Sequence, residues 1–239
     1  MLHFLQKIFR VCLQIIKQQK SSAIDGVSML TCGFLRDRVS SVNTGYAGMV
    51  MNYIGGIKRM KLHEGWIGVA RKVISPHCDW RPEGEIPSLL VIHNISLPPN
   101  KFGGPYIDQL FTGTLNPNED PFFDEIKHLR VSAHCLIRRD GEIVQYVPFD
   151  KRAWHAGVSC YCDREKCNDF SIGIELEGSD YEAFTEIQYI KLAEVTELLI
   201  SQYPDIRGNI TGHSDIAPGR KTDPGPYFYW EHYQQLLKE

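Results

Sequence analysis

Between Ser171 and Glu177 apolar and polar residues alternate without a break, so Ile172, Ile174 and Leu176 share one face of an extended chain while Gly173, Glu175 and Glu177 share the other. A period of two commits this stretch to a β-strand. A second strand is predicted at Ser88-Leu-Leu-Val-Ile-His93, a short apolar run with β-branched residues that follows Pro87 and ends at His93. Residues 131–137 and 142–147, joined through Arg138-Arg-Asp-Gly141, read as a hairpin, because Asp140-Gly141 is a favoured turn pair. Thr185-Glu-Ile-Gln188 fits a capping box, after which Tyr189, Leu192, Ala193, Leu199, Ile200 and Tyr203 fall on one helical stripe that stops at Pro204. Strands, hairpin and helix in this order predict an α/β fold with a mixed central β-sheet covered by helices.

With 239 residues, 43% of them hydrophobic, the chain can bury one sizeable core but is short for two catalytic domains. Charge divides it unevenly. Residues 1–59 hold eight Lys or Arg (Lys7, Arg10, Lys17, Lys20, Arg36, Arg38, Lys58, Arg59) against Asp25 and Asp37, although the whole chain has a net charge of −3. The expected organisation is therefore a basic N-terminal extension over 1–59, outside the working protein, and one domain over 60–239. Residues 1–20 also fit a basic amphipathic helix for a membrane surface or a partner. The opening segment, interrupted by Lys7 and Arg10 and without a small-residue cleavage site, makes a poor signal peptide and is too short and charged to span a bilayer. No stable membrane insertion is expected. No clustered basic footprint answers to nucleic acid. Seven cysteines, an odd set in a chain that needs no disulfide staples, point to a reducing compartment, the cytoplasm.

Catalytic zinc takes three N or O protein ligands and leaves a place for water. His93 at a strand end, His213 and Asp223 ten residues later supply two imidazoles and a carboxylate. Spacing alone does not select them: there are nine histidines, and His134 and His155 compete on local grounds. Cys160, Cys162 and Cys167 match no standard zinc-knuckle spacing, and they read as free thiols in a polar loop.

Five segments in order, Val91-Ile-His-Asn-Ile-Ser-Leu-Pro-Pro99, Ser132-Ala-His-Cys-Leu-Ile-Arg-Arg-Asp-Gly141, Ala153-Trp-His-Ala-Gly157, Ile172-Gly-Ile-Glu-Leu-Glu-Gly178 and Gly212-His-Ser-Asp-Ile-Ala-Pro-Gly-Arg-Lys-Thr-Asp-Pro-Gly225, resemble the 1,6-anhydro-N-acetylmuramoyl-L-alanine amidases of Gram-negative bacteria. These belong to the zinc amidase superfamily that includes phage amidases and peptidoglycan recognition proteins. The resemblance runs from about Met60 almost to the C-terminus. It implies a single amidase/peptidoglycan-recognition-like domain, Zn2+ on His93, His213 and Asp223, and Glu175 as the acid/base. The carboxylate third ligand, where several phage and animal relatives resemble this pattern with a cysteine, favours the bacterial branch. Lys221, two residues before Asp223, would point to the same side in an extended segment, and the resemblance implies that it stabilises the oxyanion.

The implied reaction is hydrolysis of the amide between the lactyl group of an anhydro-muropeptide and its first L-alanine, with a water made nucleophilic by zinc and no covalent intermediate. Asn94 and Arg130 stand where the resemblance implies muropeptide contacts, and Lys166 where some relatives have Arg; Trp154 and His155 are candidates for the sugar side of the cleft. Two alternatives remain at this point: an exported amidase acting on intact cell wall, and a non-catalytic peptidoglycan-binding module.

Overall fold

The computed structural model describes residues 60–237. The extension over 1–59, the basic helix expected within it, Cys12 and Cys32 lie outside the described residues. Among the described residues the strands are β1 (Leu62–His63), β2 (Trp66–Ile67), β3 (Arg71–Lys72), β4 (Cys78–Trp80), β5 (Leu89–Ile95), β6 (Cys135–Ile137), β7 (Ile143–Gln145), β8 (Lys151–Ala153), β9 (Cys160–Tyr161), β10 (Arg164–Glu165), β11 (Ser171–Glu177) and β12 (Ile210–Gly212). The α-helices are α1 (Tyr106–Thr112), α2 (Pro121–Ile126), α3 (Glu186–Gln202), α4 (His213–Ile216) and α5 (Trp230–Leu237).

Six strands form the central sheet in the order β12-β5-β11-β6-β7-β3. β12, β5, β11 and β6 run parallel, β7 returns antiparallel to β6, and β3 lies parallel to β7. The sheet is mixed, as the sequence predicts. Alternation along β11 sorts its side chains: Ile172, Ile174 and Leu176 enter a core with Leu90, Ile92 and the α3 residues Tyr189, Leu192, Val195 and Leu199. Other hydrophobic clusters combine Leu136 and Val144 with Ile107, Leu110, Phe111 and Phe123 of α1 and α2, and Leu89 and Val91 with Phe170 and Ile216. With both faces covered, all seven residues of β11 are buried. That is the position of a central parallel strand, and each fully buried Ile or Leu there contributes about 1.5–3 kcal/mol.

The local signals meet their structures with instructive differences. β5 continues two residues past His93. In the hairpin, Ile137 faces Ile143 and Gly141 takes the left-handed turn conformation at φ +87°. Residues 131–134 are not a strand, because the N–H groups of Tyr146 and Val147 both reach the His134 carbonyl (2.9 and 3.5 Å), breaking the regular pairing. α3 carries the expected capping box, with Thr185 and Gln188 bonded reciprocally. Its buried face also includes Gln188, whose Nε2 donates to the carbonyls of Ile137 (3.1 Å) and Glu177 (2.9 Å), while Tyr203 lies beyond the last turn. None of the described helices is long and apolar enough to cross a membrane.

Candidate active site

The parallel strands β12, β5 and β11 bring their C-terminal ends to one rim of the sheet, the rim at which open parallel sheets place ligands. His93 lies on β5 next to Glu175 of β11 in the pairing register, and His213 directly follows β12. The loop after α4 folds back through a bond from the Ser214 N–H to the Asp223 carbonyl (2.8 Å), which returns the Asp223 carboxylate to the two histidines. His93 Nδ1 is 3.0 Å from His213 Nδ1 and 2.9 Å from Asp223 Oδ2, and His213 Nδ1 is 3.0 Å from the same oxygen. These residues form the one cluster of metal-ligating type found among the described residues.

The donor chemistry fits a cation. His213 Nε2 faces the Ala156 carbonyl at 3.1 Å, an acceptor only, so that nitrogen bears the hydrogen and Nδ1 is bare. Asp223 Oδ2 is an acceptor as well. At most one hydrogen, on His93 Nδ1, is available to three converging acceptor atoms. A divalent cation satisfies all three together, and their separations approach the roughly 3.3 Å edge of a tetrahedron with 2.0–2.1 Å metal bonds. Burial pushes the His93 imidazole below its ordinary pKa, keeping it in the neutral, ligating form. Burial alone would raise Asp223, but the His213 and His93 imidazoles set against its Oδ2 outweigh it and hold the carboxyl well below its ordinary range.

Glu175 and Glu177 share a strand face and differ in partners. Glu177, 2% exposed, accepts from the Gly103 N–H (2.6 Å), the Arg139 N–H (3.2 Å) and Arg138 Nη1 (3.3 Å), so its valences are engaged in structure. Glu175 is also buried, yet its Oε2 has no hydrogen-bond partner. Burial, reinforced by the nearby charge of Asp223 and opposed by Lys221, raises its carboxyl well above the ordinary value. A buried, unpartnered carboxyl of raised pKa beside a ligand triad has the character of a proton-exchanging group. Lys221 is exposed, and its positive charge acts on both Glu175 and His93.

The remaining candidates scatter. Asn94 Nδ2 donates to Asp180 Oδ1 (2.9 Å) and to the Pro224 carbonyl (3.0 Å), bracing the Asp223 loop and leaving only its Oδ1 to offer a ligand. Arg130 is exposed two residues before Ser132. Lys166 is exposed with φ +61° at the end of the β9–β10 hairpin. Trp154 is 37% exposed, with the Arg152 guanidinium stacked 4.4 Å over its ring. His155 is drawn inward: Nδ1 lies 2.9 Å from His93 Nε2, and Nε2 lies 3.1 Å from Ser171 Oγ. The space at Gly173 belongs to this ring rather than to the Glu175 carboxylate, because a Cβ at residue 173 would come within 2.4 Å of it.

The competing His134 is buried away from the triad, accepting at Nδ1 from the Gly173 N–H (3.1 Å), and burial pushes its pKa down to about 3. Cys160 and Cys162 are exposed, Cys167 is buried, and all three are free. Sequence reasoning passed over Arg81, a buried guanidinium donating to the carbonyls of Asn168, Asp169, Phe149 and Ser171 at 2.9–3.2 Å. Its partners are backbone carbonyls and the His134 ring, whose Nε2 lies 3.2 Å from Arg81 Nη2, all remote in sequence, so no local motif announces it. Asn168 was also missed; its Oδ1 accepts from the N–H groups of His155 (3.1 Å) and Ala156 (2.8 Å).

A mixed sheet whose parallel strand ends gather two histidines, an aspartate and an unpartnered glutamate is the framework of a peptidoglycan amidase. Residues 83–226 match the family model described as N-acetylmuramoyl-L-alanine amidase, and the chain belongs to that family. Within it, the chain is 68% identical over 180 residues to the 1,6-anhydro-N-acetylmuramyl-L-alanine amidase AmpD of Escherichia coli (strain K12), spanning 75% of this chain and 98% of that protein. It is 54% identical over 178 residues to AmpD of Haemophilus influenzae, spanning 74% and 97%. Of solved structures, a selenomethionine derivative of AmpD superimposes with a TM-score of 0.74 at 68% identity, covering 74% of this chain and 99% of that one. AmpDH3 from Pseudomonas aeruginosa, in complex with anhydromuramic pentapeptide, gives 0.50 at 29% identity over 65% and 61% of the two chains.

Proposed function

We propose that this protein is a zinc-dependent amidase that hydrolyses the bond between the lactyl group of 1,6-anhydro-N-acetylmuramic acid and L-alanine in muropeptides released during cell-wall recycling. The substrate class follows the identity to AmpD, which spans nearly the whole of that protein. The observation that carries the chemistry is the triangle of His93, His213 and Asp223 ligand atoms 2.9–3.0 Å apart, beside the unpartnered carboxyl of Glu175.

His93, His213 and Asp223 would hold the ion, which when bound would supply Lewis acidity toward a water and a carbonyl. Glu175 takes a proton from the attacking water as its oxygen bonds to the lactyl carbon. It then returns that proton to the L-alanine nitrogen as the C–N bond breaks, releasing a carboxylic acid and a peptide with a free amine. Lys221 stands on the exposed side, where its ammonium stabilises the oxyanion between the two steps by about 3 kcal/mol. Arg130, Lys166 and the Asn94 Oδ1 offer contacts for the carboxylates and amides of the stem peptide, and Trp154 offers an apolar surface to the sugar. We assign this work to residues 60–239 and to the cytoplasm, in keeping with the free thiols of Cys78, Cys135, Cys160, Cys162 and Cys167.

The test is metal analysis of the purified chain joined to mass spectrometry of an anhydro-muropeptide digest, with and without chelator. Release of the intact stem peptide only by the metal-loaded sample is expected; equal cleavage after the metal has been stripped overturns the zinc assignment.

A further inference from the structure

Each ligand imidazole has a second nitrogen, and the groups meeting those two nitrogens come from adjacent residues. His213 Nε2 meets the carbonyl of Ala156, and His93 Nε2 meets Nδ1 of His155. We propose that His155 and the Ala156 carbonyl, fixed together by Asn168, act as one positioning element that sets the tautomer of both ligand histidines. This inference rests on the zinc reading above.

The direction of every bond in the relay follows from what lies at its ends. His93 presents Nδ1 to a cation shared with His213 and Asp223, so its hydrogen must be on Nε2. That Nε2–H donates to His155 Nδ1, which is then the bare nitrogen of His155. The His155 hydrogen therefore sits on Nε2, where Ser171 Oγ accepts it at 3.1 Å. With the cation at one end and a hydroxyl free to accept at the other, the three groups in series hold His93 in the Nε2–H form. His213 reaches the same state by a shorter route, because a carbonyl can only accept.

The element is held at its backbone and its ring. Asn168 Oδ1 takes the N–H groups of His155 and Ala156 together, so one amide oxygen registers both buttresses. Arg220 Nη2 donates to the Ala156 carbonyl at 2.7 Å, using the second lone pair of the oxygen that serves His213. Gly173 clears the volume for the His155 ring, which a Cβ would enter. His155, a candidate from sequence for the sugar side of the cleft, has both ring nitrogens engaged inward.

Two measurements on the full-length protein test this. In the wild-type zinc form, long-range 1H–15N correlation spectra are expected to show His93, His213 and His155 all carrying hydrogen on Nε2. A hydrogen on Nδ1 of His155 overturns the proposal without any variant having to fold. Zinc competition with a chromogenic chelator is then compared for wild type, His155→Leu and His155→Asn, whose Oδ1 can replace the lost acceptor. His155→Leu is expected to bind zinc about 10- to 100-fold more weakly, with His155→Asn recovering most of the loss; equal affinity in all three overturns the proposal. Wild type that binds no zinc in the same assay instead removes the underlying metal assignment, so the two failures are told apart.

Discussion

Glu175 and His93 face one another across the parallel pairing of β11 and β5, one residue contributing an unbonded carboxyl oxygen and its neighbour an imidazole turned toward the triad. The proposed proton-transfer group and the proposed ligand are therefore registered by the ladder itself. Glu175→Gln preserves shape and removes the titrating oxygen. It is expected to lower turnover about 10²- to 10⁴-fold while zinc stoichiometry stays at the wild-type value. Mass-spectrometric turnover beside metal analysis reads both quantities, and wild-type turnover in the variant would remove Glu175 from the mechanism.

The same carboxyl makes the metal-free protein pH-sensitive in a particular sense. Its folded pKa is raised by burial, so the unfolded chain gives up the proton first as pH rises above about 4.5, and stability is lost through that rise. Metal-free Glu175→Gln is expected to unfold at higher urea than metal-free wild type at pH 7, with the gap closing below pH 4. A gap that is constant with pH contradicts the assignment of a raised carboxyl.

His134 carries the opposite dependence. An unfolded chain protonates this imidazole near 6.5 and the folded one only near 3, so its contribution is complete above 6.5 and drains away as pH falls through the interval, about 5 kcal/mol in all. In NMR titration its ring signals are expected to stay in the neutral position down to at least pH 5. Ordinary titration between pH 6 and 7 would contradict this.

Gly173→Ala sets a methyl group against the His155 ring, whose nearest atom lies 2.4 Å from the ideal Cβ. Neither neighbour has free space: Gly173 lies within the buried β11, and the ring is tied at both nitrogens. The expected cost is about 1–3 kcal/mol in urea unfolding together with weakened zinc binding. Unchanged affinity at normal stability would separate the ring's packing from its influence on the ligands.

Much of this arrangement is legible in the sequence where chemistry and period coincide. The alternation around Glu175 gives both strand and faces, and the Thr185-Gln188 box gives the start of α3. The triad is less so: from local context His93, His134 and His155 are equivalent, and the family resemblance rather than spacing separates them. What distinguishes them physically is the far end of each bond. His134 ends on the Gly173 N–H and the Lys151 carbonyl, His155 on another histidine and a serine, and none of these partners is near in sequence. The short helix α2 did carry a readable signal, Asp120 as N-cap followed by Pro121. The pairing of β5 with both β11 and β12 did not, because strand order is decided by which faces find cover.

β12 is one of the two outermost strands of the sheet, three residues long and paired only with β5. His213 begins where β12 ends, and His93 projects from its sole neighbour, so an ion clasped between them would be a rivet through the margin of the sheet. On the reading proposed above, the residues that bind zinc would also hem this border, and a cell short of zinc would lose activity and the integrity of that edge in a single step.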